Sequence, residues 1–283
     1  MAALVLLAPK PLSGKTTIAA ALAERIKSEG KTLSITRLGD DDNAVADKAL
    51  FSRISGPTGA AITLAEAPAG EQSLTEGRAI VVADAAVSAG EIAEFCQPLA
   101  GKLGGVILNR VPARRAQQVK AYAQDAGLTV LGLVPEDRLL ASPTLAEVSQ
   151  ALDAEQTFFD STGERPLDRT LIAPISADPG QGYFARTSAD TVIVRSDKPD
   201  LQLAALNAGA CAMIVTGDRP ILRYVLDRAE EDMIPLLRTK LETPDAVKVI
   251  EELYASKPFG GGPQKLNRAA ELAAGIDLAA ILS

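Results

Sequence analysis

The feature that most constrains this 283-residue chain is its amino-terminal segment, where an apolar run leads through a short turn into a helical pattern. Residues 4–8 are apolar, as a buried strand requires, and residues 18–26 are rich in Ala, Leu and Ile. Between them, residues 13–17 read Ser-Gly-Lys-Thr-Thr. In such a strand–turn–helix, the loop N–H groups and the helix N-terminus together attract phosphate. The sequence therefore predicts a phosphate-binding loop (P-loop).

The residues of this loop have distinct expected roles. Ser13, Gly14 and Thr17 are expected to contribute to the phosphate cradle. Lys15 is expected to reach the terminal phosphates as the catalytic residue, and the Thr16 hydroxyl to ligate Mg²⁺. The cofactors expected for the chain are therefore ATP and Mg²⁺.

The loop departs from the usual pattern at its entry. A glycine usually stands five residues before Gly14, and this chain has Pro9 there. Proline has no N–H to donate and a fixed φ, so the entry is stiffer than in other P-loops. Two other interpretations therefore stay open: an ordinary strand–turn–helix with an exposed lysine, and a P-loop that keeps its shape without binding nucleotide.

Apolar, strand-like runs alternate with helical spacing along the rest of the chain. Such alternation indicates an α/β fold whose parallel sheet is covered by helices on both faces. We expect a P-loop NTPase-like sheet followed by a smaller α/β domain. The strand-like runs after the first are residues 32–38, 60–65, 78–83, 105–108 and 129–133, then 170–175, 191–194, 211–216 and 233–237.

The composition of the connecting segments predicts the domain bounds. Residues 1–154 are expected to form the P-loop domain, and residues 155–169, rich in Asp, Ser, Thr, Gly and Pro, a linker. Residues 170–259 are expected to form the second domain. Residues 260–283 are expected to be a flexible joint and a helical tail.

Composition excludes several classes of function. The chain has no His, so no imidazole base or metal ligand exists, and its two Cys suggest no zinc or disulfide framework. Its net charge is −7, and no basic stripe stands out, so nucleic acid is not an expected partner. No apolar run reaches the ~18 residues of a membrane span, and no signal peptide is evident, so we expect a cytoplasmic protein that does not bind a membrane.

A short motif occurs twice in the second half of the chain. Residues 197–199 read Asp-Lys-Pro and residues 218–220 read Asp-Arg-Pro, each after a strand-like run and before a helical one. Asp as N-cap and Pro in the first turn would stabilise both helices. Alternatively, two adjacent helix N-termini would form an anion site lined by Lys198 and Arg219.

Several motifs together resemble a known pair of domains. They are residues 11–16 (Pro-Leu-Ser-Gly-Lys-Thr), 64–68 (Leu-Ala-Glu-Ala-Pro), 106–109 (Val-Ile-Leu-Asn), and 197–200 (Asp-Lys-Pro-Asp) with 214–217 (Ile-Val-Thr-Gly). The first half resembles the dethiobiotin-synthetase-like P-loop domain and the second the DRTGG domain. The pair occurs at the N-terminus of long bacterial phosphate acetyltransferases and in stand-alone proteins.

The resemblance implies further site residues. Glu66 matches the strand-terminal Glu that completes the metal site, and Asp40 is the first of the candidates for an Asp that joins it. Asn109 matches the Asn that reads the adenine edge, and Pro135 lies in the base-side loop. A solvated acidic turn, and an Asn that only bonds the backbone, remain alternatives. The other candidate carboxylates are Asp41, Asp42 and Asp47.

Three functions stay open at this point. The first is an ATP·Mg²⁺-binding regulatory or sensory protein, a homo-oligomer formed through its DRTGG-like domain, with a small anionic metabolite as a candidate ligand. The second is an ATP-dependent ligase or synthetase acting on a small carboxylate or amine, with Lys10, Lys15 and Arg37 neutralising its intermediate. The third is a dimerisation scaffold with a vestigial P-loop. Acetyl transfer is not expected, because it needs a further catalytic domain and this chain ends at Ser283.

Overall fold

The computed structural model describes residues 2–56, 60–74, 76–157, 162–173, 183–184, 186, 190–256, 259–260 and 262–283. The chain divides into two compact units. The first consists of Met1–Leu140 together with Pro258–Ser283, and the second is Ala141–Lys257. In sequence, the second unit is therefore an insertion within the first.

The first unit is built on a six-stranded sheet with the strand order β2-β3-β1-β4-β5-β6, in which all neighbouring strands are parallel. The strands are β1 (Ala2–Leu7), β2 (Leu33–Arg37), β3 (Ile62–Glu66), β4 (Arg78–Asp84), β5 (Leu103–Val111) and β6 (Val130–Pro135). The helices are α1 (Lys15–Ser28), α2 (Ala44–Ile54), α3 (Ala89–Cys96), α4 (Ala116–Asp125), α10 (Pro263–Leu272) and α11 (Leu278–Leu282), and α5 (Arg138–Ala141) lies at the boundary between the units.

Both faces of this sheet are buried under helices. Alternate residues of a strand point to opposite faces, and Leu4 and Leu6 of β1 join one apolar cluster while Val5 and Leu7 join another. The first cluster includes residues of α1, α2 and the C-terminal helices, and the second includes residues of α3 and α4. The predicted parallel sheet with helices on both faces is confirmed.

The C-terminal segment packs against the P-loop helix α1 and the sheet. Arg25 of α1 donates from one guanidinium nitrogen to Ala273 O at 2.7 Å and to Ile276 O at 2.9 Å. Ile276 also occupies the space beside Gly132 of β6, where a Cβ would lie 2.8 Å from the Ile276 Cα. The tail is thus an integral part of the first core.

The second unit has a five-stranded sheet with the order β7-β11-β10-β9-β8, in which β8 to β11 are parallel and β7 is antiparallel to β11. The four strands predicted in this half are present as β8 to β11, although residues 174–175 of the first run lie outside the described residues and the last run, 233–237, begins three residues before β11. The strands are β7 (Glu155–Thr157), β8 (Thr170–Ile172), β9 (Thr191–Arg195), β10 (Ala212–Thr216) and β11 (Leu236–Thr239), and the helices are α6 (Leu145–Ala151), α7 (Pro199–Asn207), α8 (Arg223–Glu231) and α9 (Thr243–Ser256).

Two predicted helix caps are wrong. The N-cap of α7 is Lys198, without a side-chain cap bond, because the Asp197 carboxylate instead accepts two hydrogen bonds of 2.9 Å from Arg195. Helix α8 begins at Arg223, several residues after Asp218, and its N-cap Leu222 has no polar side chain to offer. Only Pro199 takes its predicted place in the first helical turn.

Among the helices that the structure describes, none is both long and apolar enough to cross a lipid bilayer.

Candidate functional site

The predicted P-loop lies between β1 and α1, at the carboxyl edge of the first sheet. Gly14 has a φ of +84°, which favours glycine, and its carbonyl accepts the first helical bond from Ile18 N at 3.0 Å. The Ser13 hydroxyl donates to Lys10 O at 2.8 Å and so closes the turn. Helix α1 has no side-chain N-cap bond and no acidic residue in its first turn. Its N-terminal dipole therefore remains available to an anion.

Two side chains from the end of β5 hold the loop from outside. Asn109 Nδ2 donates to Ser13 O at 3.0 Å, and Arg110 donates to Leu12 O at 2.6 Å. Arg110 also forms an ion pair with Asp84 at the end of β4. These contacts fix the loop backbone although Pro9 stands at its entry.

Lys15 is the first residue of α1, and its side chain is 7% exposed. Burial lowers the pKa of its ammonium, while the charge of the Glu66 carboxylate opposes that shift. Among the residues that the structure describes, no carboxylate forms an ion pair with Lys15. Among the described residues, the charges near Lys15 thus act on it without an ion pair, and a buried cation in this state is costly unless an anion binds.

Glu66, the last residue of β3, faces the P-loop. Thr16 Oγ1 donates to Glu66 Oε1 at 3.2 Å, and the buried Oε2 has no hydrogen-bond partner among the described residues. Burial, and then the charge of Asp47, raise the pKa of Glu66 to about 7. A cation bound beside Oε2 would therefore stabilise the ionised form of this carboxyl group.

Arg37, at the end of β2, is buried, and each of its three guanidinium nitrogens donates to a protein group. Its Nε donates to Asp47 Oδ2 at 3.2 Å, and another nitrogen donates to Glu66 O at 3.2 Å. It also donates to Leu38 O and forms an ion pair with Asp41. Burial raises the pKa of Asp47, although hydrogen bonds from Arg37 and Thr16 oppose this shift.

The structure does not bring Asp40, the metal ligand expected from the acidic turn, to this cluster. Asp40 pairs with Lys48 Nζ at 2.5 Å, and its side chain is 88% exposed. The acidic-segment carboxyl that reaches Thr16 and the Glu66 environment is Asp47, on α2. Asp41 reaches the edge of the cluster through Arg37.

The other predicted binding residues are Thr17, Pro135 and Asn109. Thr17 is half-buried in the first turn of α1. Pro135 ends β6 and is the register partner of Val111, two residues beyond Asn109 on the neighbouring strand. Asn109 itself is 5% exposed, and its amide N–H₂ is committed to the Ser13 carbonyl.

Among the described residues, no group of three or more His, Cys, Asp or Glu side chains is arranged to hold a metal ion by itself. Mg²⁺ commonly uses only one or two carboxylates and takes its other ligands from phosphate and water. The buried, unpartnered Oε2 of Glu66 beside the Thr16 hydroxyl fits that sparser arrangement.

The two basic residues of the repeated motif face a carboxylate of the second unit. Burial acts to raise the pKa of Asp197, but hydrogen bonds from Arg195 and the charges of Lys198 and Arg219 lower it overall. Asp197 thus already compensates part of the charge that an anion site would need. An anion site beside Lys198 and Arg219 stays a prediction.

Sequence reasoning missed the role of Arg110 and Asp84 as supports of the P-loop. The available signal was positional, because both residues stand at the ends of neighbouring strands, β5 and β4. The motif that precedes them, Val-Ile-Leu-Asn, drew attention to the Asn alone.

Comparison with known proteins identifies one domain. Residues 147–253 match the DRTGG domain family. The solved structures that resemble the chain include the CBS and DRTGG domains of the regulatory region of Clostridium perfringens pyrophosphatase, complexed with the activator diadenosine tetraphosphate. That match has 14% identity and a TM-score of 0.35, and it covers 64% of this chain and 76% of that one.

A second resemblance is to an ABC transporter solute-binding protein from R. palustris in complex with 4-hydroxybenzoate. It has 11% identity and a TM-score of 0.24, and it covers 96% of this chain and 78% of that one. At these TM-scores neither structure bears on the activity of this chain. The family match stands by itself: the chain carries a DRTGG domain at residues 147–253, within its second compact unit.

Proposed function

We propose that the first unit binds ATP·Mg²⁺ at the P-loop and that the chain is a regulatory protein in which a DRTGG domain accompanies this nucleotide site. The observation that carries the nucleotide proposal is Lys15. It is 7% exposed, stands at the N-terminus of a 14-residue helix, and has no ion-pair partner among the described residues. A bound triphosphate supplies the anion that this buried ammonium lacks.

Mg²⁺ would be held by the Thr16 hydroxyl and the Glu66 carboxylate, with Asp47 near enough to influence both. When bound, the ion would neutralise phosphate charge. The orphaned Glu66 Oε2 supports this assignment. Lys15 would hold the terminal phosphates, and Asn109 with Arg110 would keep the loop carbonyls of Ser13 and Leu12 turned away from the anion.

The occupied guanidinium of Arg37 favours a regulatory protein over a synthetase. Arg37 was a candidate for neutralising the intermediate of a ligase reaction. Its nitrogens bond to Asp41, Asp47 and two backbone carbonyl groups, and its side chain is 2% exposed, so it is poorly placed to hold an organic substrate. A screen for carboxylate- or amine-stimulated phosphate release tests this choice, and we expect no stimulation.

Calorimetry with the full chain tests nucleotide binding. We expect ATP·Mg²⁺ to bind in the micromolar to millimolar range and Lys15→Ala to weaken binding at least about tenfold, a loss of ~1.4 kcal/mol. Lys10→Ala is the matched control, because Lys10 lies five residues earlier and is more than half exposed in a surface pair with Glu91. We expect this control to bind as the unmodified chain does.

Absence of binding heat for ATP, ADP and GTP with Mg²⁺ would exclude the proposal. Equal losses in the Lys15 and Lys10 variants would also contradict it, since a surface lysine can contribute only through general charge. Glu66→Gln separates the metal from the phosphate contribution. We expect this variant to lose the gain in ATP affinity that Mg²⁺ gives and to retain the metal-independent affinity.

A further inference from the structure

We propose that the first unit carries a second ligand site, separate from the P-loop, that takes a small aliphatic ammonium compound. A cavity of about 380 Å³ lies between the segment that follows β2 and the segment that follows β3. This volume is within the range of small-molecule sites in proteins.

Most of the cavity wall is apolar. Val5 and Ala67 are buried, Pro68 and Leu74 are half-buried, and Leu38 is 44% exposed. An exposed leucine that lines a concave surface gains burial when an apolar group enters, and each buried CH₂ of that group contributes roughly 0.8 kcal/mol. The wall therefore favours a ligand with a hydrocarbon body.

The polar part of the wall is acidic. Glu71 and Glu76 line the cavity together with Ser73, and no Lys or Arg is among its described lining residues. Ser73 donates its backbone N–H to Glu71 Oε1 at 2.8 Å and its hydroxyl to the same oxygen. These bonds lower the pKa of Glu71 and hold the carboxylate in place. Lys102 Nζ donates to the carbonyl of the lining residue Leu74 at 2.6 Å, and the two carboxylates outnumber this one ammonium. A positively charged head group is therefore complementary to the wall.

The segment that forms the cavity is attached firmly to the sheet. Gly70 N donates to Ala8 O at 2.9 Å, at the start of the P-loop. Gly39, with a φ of +73°, lies so close to Pro68 that a Cβ at Gly39 would be 2.6 Å from Pro68 Cγ. The segment after β2 therefore contacts the segment after β3 at Gly39, and a larger residue at position 39 would change the shape of the cavity.

Two buried residues of the cavity wall lie on the face of the sheet opposite α1. Val5 and Ala67 belong to the apolar cluster under α3 and α4, whereas Leu4 and Leu6 belong to the cluster under α1. Glu66 precedes Ala67 and, by the alternation of a strand, points the other way. The wall adjoins the P-loop site, because Leu38 N donates to Glu66 O and Gly70 N donates to Ala8 O. The cavity lining nevertheless includes none of Lys15, Thr16 and Glu66, so the two proposals rest on different residues and either can fail alone.

Ligand-observed NMR with the full chain tests the ammonium site. The probes are n-butylammonium, n-butanol and butyrate, each at about 10 mM, where fragments of this size bind. We expect saturation transfer to n-butylammonium alone, and at least about a fivefold weaker binding with Glu71→Gln, as expected for loss of a charge-assisted contact. Equal binding of the three probes, or no binding of n-butylammonium, would overturn the proposal.

Gly39→Ala tests whether the probe occupies this cavity, with Gly30→Ala as its matched control. Both glycines have a φ near +73°, but a Cβ at Gly30 meets nothing within 4 Å. We expect the Gly39 variant to lose n-butylammonium binding and the Gly30 variant to keep it. Loss in neither variant would place the probe elsewhere and overturn the proposal. ATP·Mg²⁺ calorimetry on the same variants reports separately on the P-loop.

Discussion

A carboxyl group as buried as that of Glu66 must either hold a proton or face a cation. Glu66 is 3% exposed and lies near Asp47 on α2, Lys15 and Thr16 on α1, and Arg37 on β2. Burial and the Asp47 charge outweigh the two cations, so the pKa of Glu66 rises to about 7. At mildly acidic pH and without a metal ion, Glu66 is therefore protonated in the folded chain and ionised in the unfolded chain.

This shift predicts the pH dependence of stability in the metal-free protein. Because the folded pKa of Glu66 lies above its ordinary value of 4.5, its contribution is fully present below pH 4.5 and is lost as the pH rises through about 7. The raised pKa of Asp47 acts in the same direction. We expect the first unit to lose on the order of 1–3 kcal/mol across this window.

Hydrogen exchange of the α1 and β3 amides measures this dependence within the first unit. The comparison is between the unmodified chain and Glu66→Gln at each pH, so that the intrinsic pH dependence of exchange cancels. We expect the two to converge near pH 4.5 and to diverge above it, with Glu66→Gln better protected near pH 8. A constant difference across the range would show that Glu66 does not titrate as described.

At the scale of the element, the P-loop is held by bonds from two strand ends as well as by its own glycine. Asn109 and Arg110 hold the carbonyl groups of Ser13 and Leu12, and Gly14 fits beneath the Asn109 amide. A Cβ at Gly14 would lie 2.1 Å from Asn109 Nδ2. The side chain of Asn109 would have to move and give up its bond to the loop.

We therefore predict that Gly14→Ala removes ATP·Mg²⁺ binding and destabilises the first unit by more than the ~1 kcal/mol cost of a left-handed alanine. Gly127→Ala is the control, because Gly127 has a φ of +79° and open space around its Cβ position. Thermal unfolding and calorimetry measure both effects. Similar losses in the two variants would show that the contact between Gly14 and Asn109 does not hold the loop in place.

The sequence predicted the strands and the P-loop helix because their signals are local. Apolar runs of strand length and the Ser-Gly-Lys-Thr turn need no knowledge of distant residues. The choice of carboxylate was different. Asp40 and Asp47 are equally plausible in sequence, and only the path of α2 turns Asp47 inward while Asp40 meets Lys48 at the surface. Likewise, Arg110 reaches Leu12 across 98 positions in the chain, which no local pattern reveals.

At the scale of the whole molecule, an insertion separates the P-loop sheet from its own last helices. The second unit has its own apolar clusters on both sides of its sheet. The first unit is completed by the C-terminal segment, from which Ala269, Ala273, Ile276, Leu278 and Ile281 are buried in the core beside α1. The second unit is therefore formed by one continuous segment, whereas the first unit needs two segments that are far apart in the sequence.

We predict that residues 141–257 fold as an isolated fragment and that residues 1–140 alone do not. Removing the tail would expose the apolar surface it covers on α1 and β6. Circular dichroism with thermal unfolding of both fragments checks this. A cooperative transition in the 1–140 fragment would contradict the role assigned to the tail.

A single substitution tests the same packing in the full chain. Ile276 is 2% exposed, so Ile276→Ala is expected to destabilise the first unit by about 2–5 kcal/mol. Val45→Ala is the control, because Val45 is 81% exposed, and its change should stay within roughly 0.5 kcal/mol. Denaturant unfolding measures the stability change in each variant, and hydrogen exchange of the α1 amides shows whether the loss lies in the first unit.

The proposed function requires that the loop between β1 and α1 captures a triphosphate. A crystal structure of the full chain grown with a non-hydrolysable ATP analogue and Mg²⁺ tests it most directly. We predict density for the terminal phosphates against the N-terminus of α1, in contact with Lys15, and a metal ion between Thr16 and Glu66. Nucleotide bound only in the second unit, or a P-loop left without phosphate at saturating analogue, would show that this loop is not the nucleotide site.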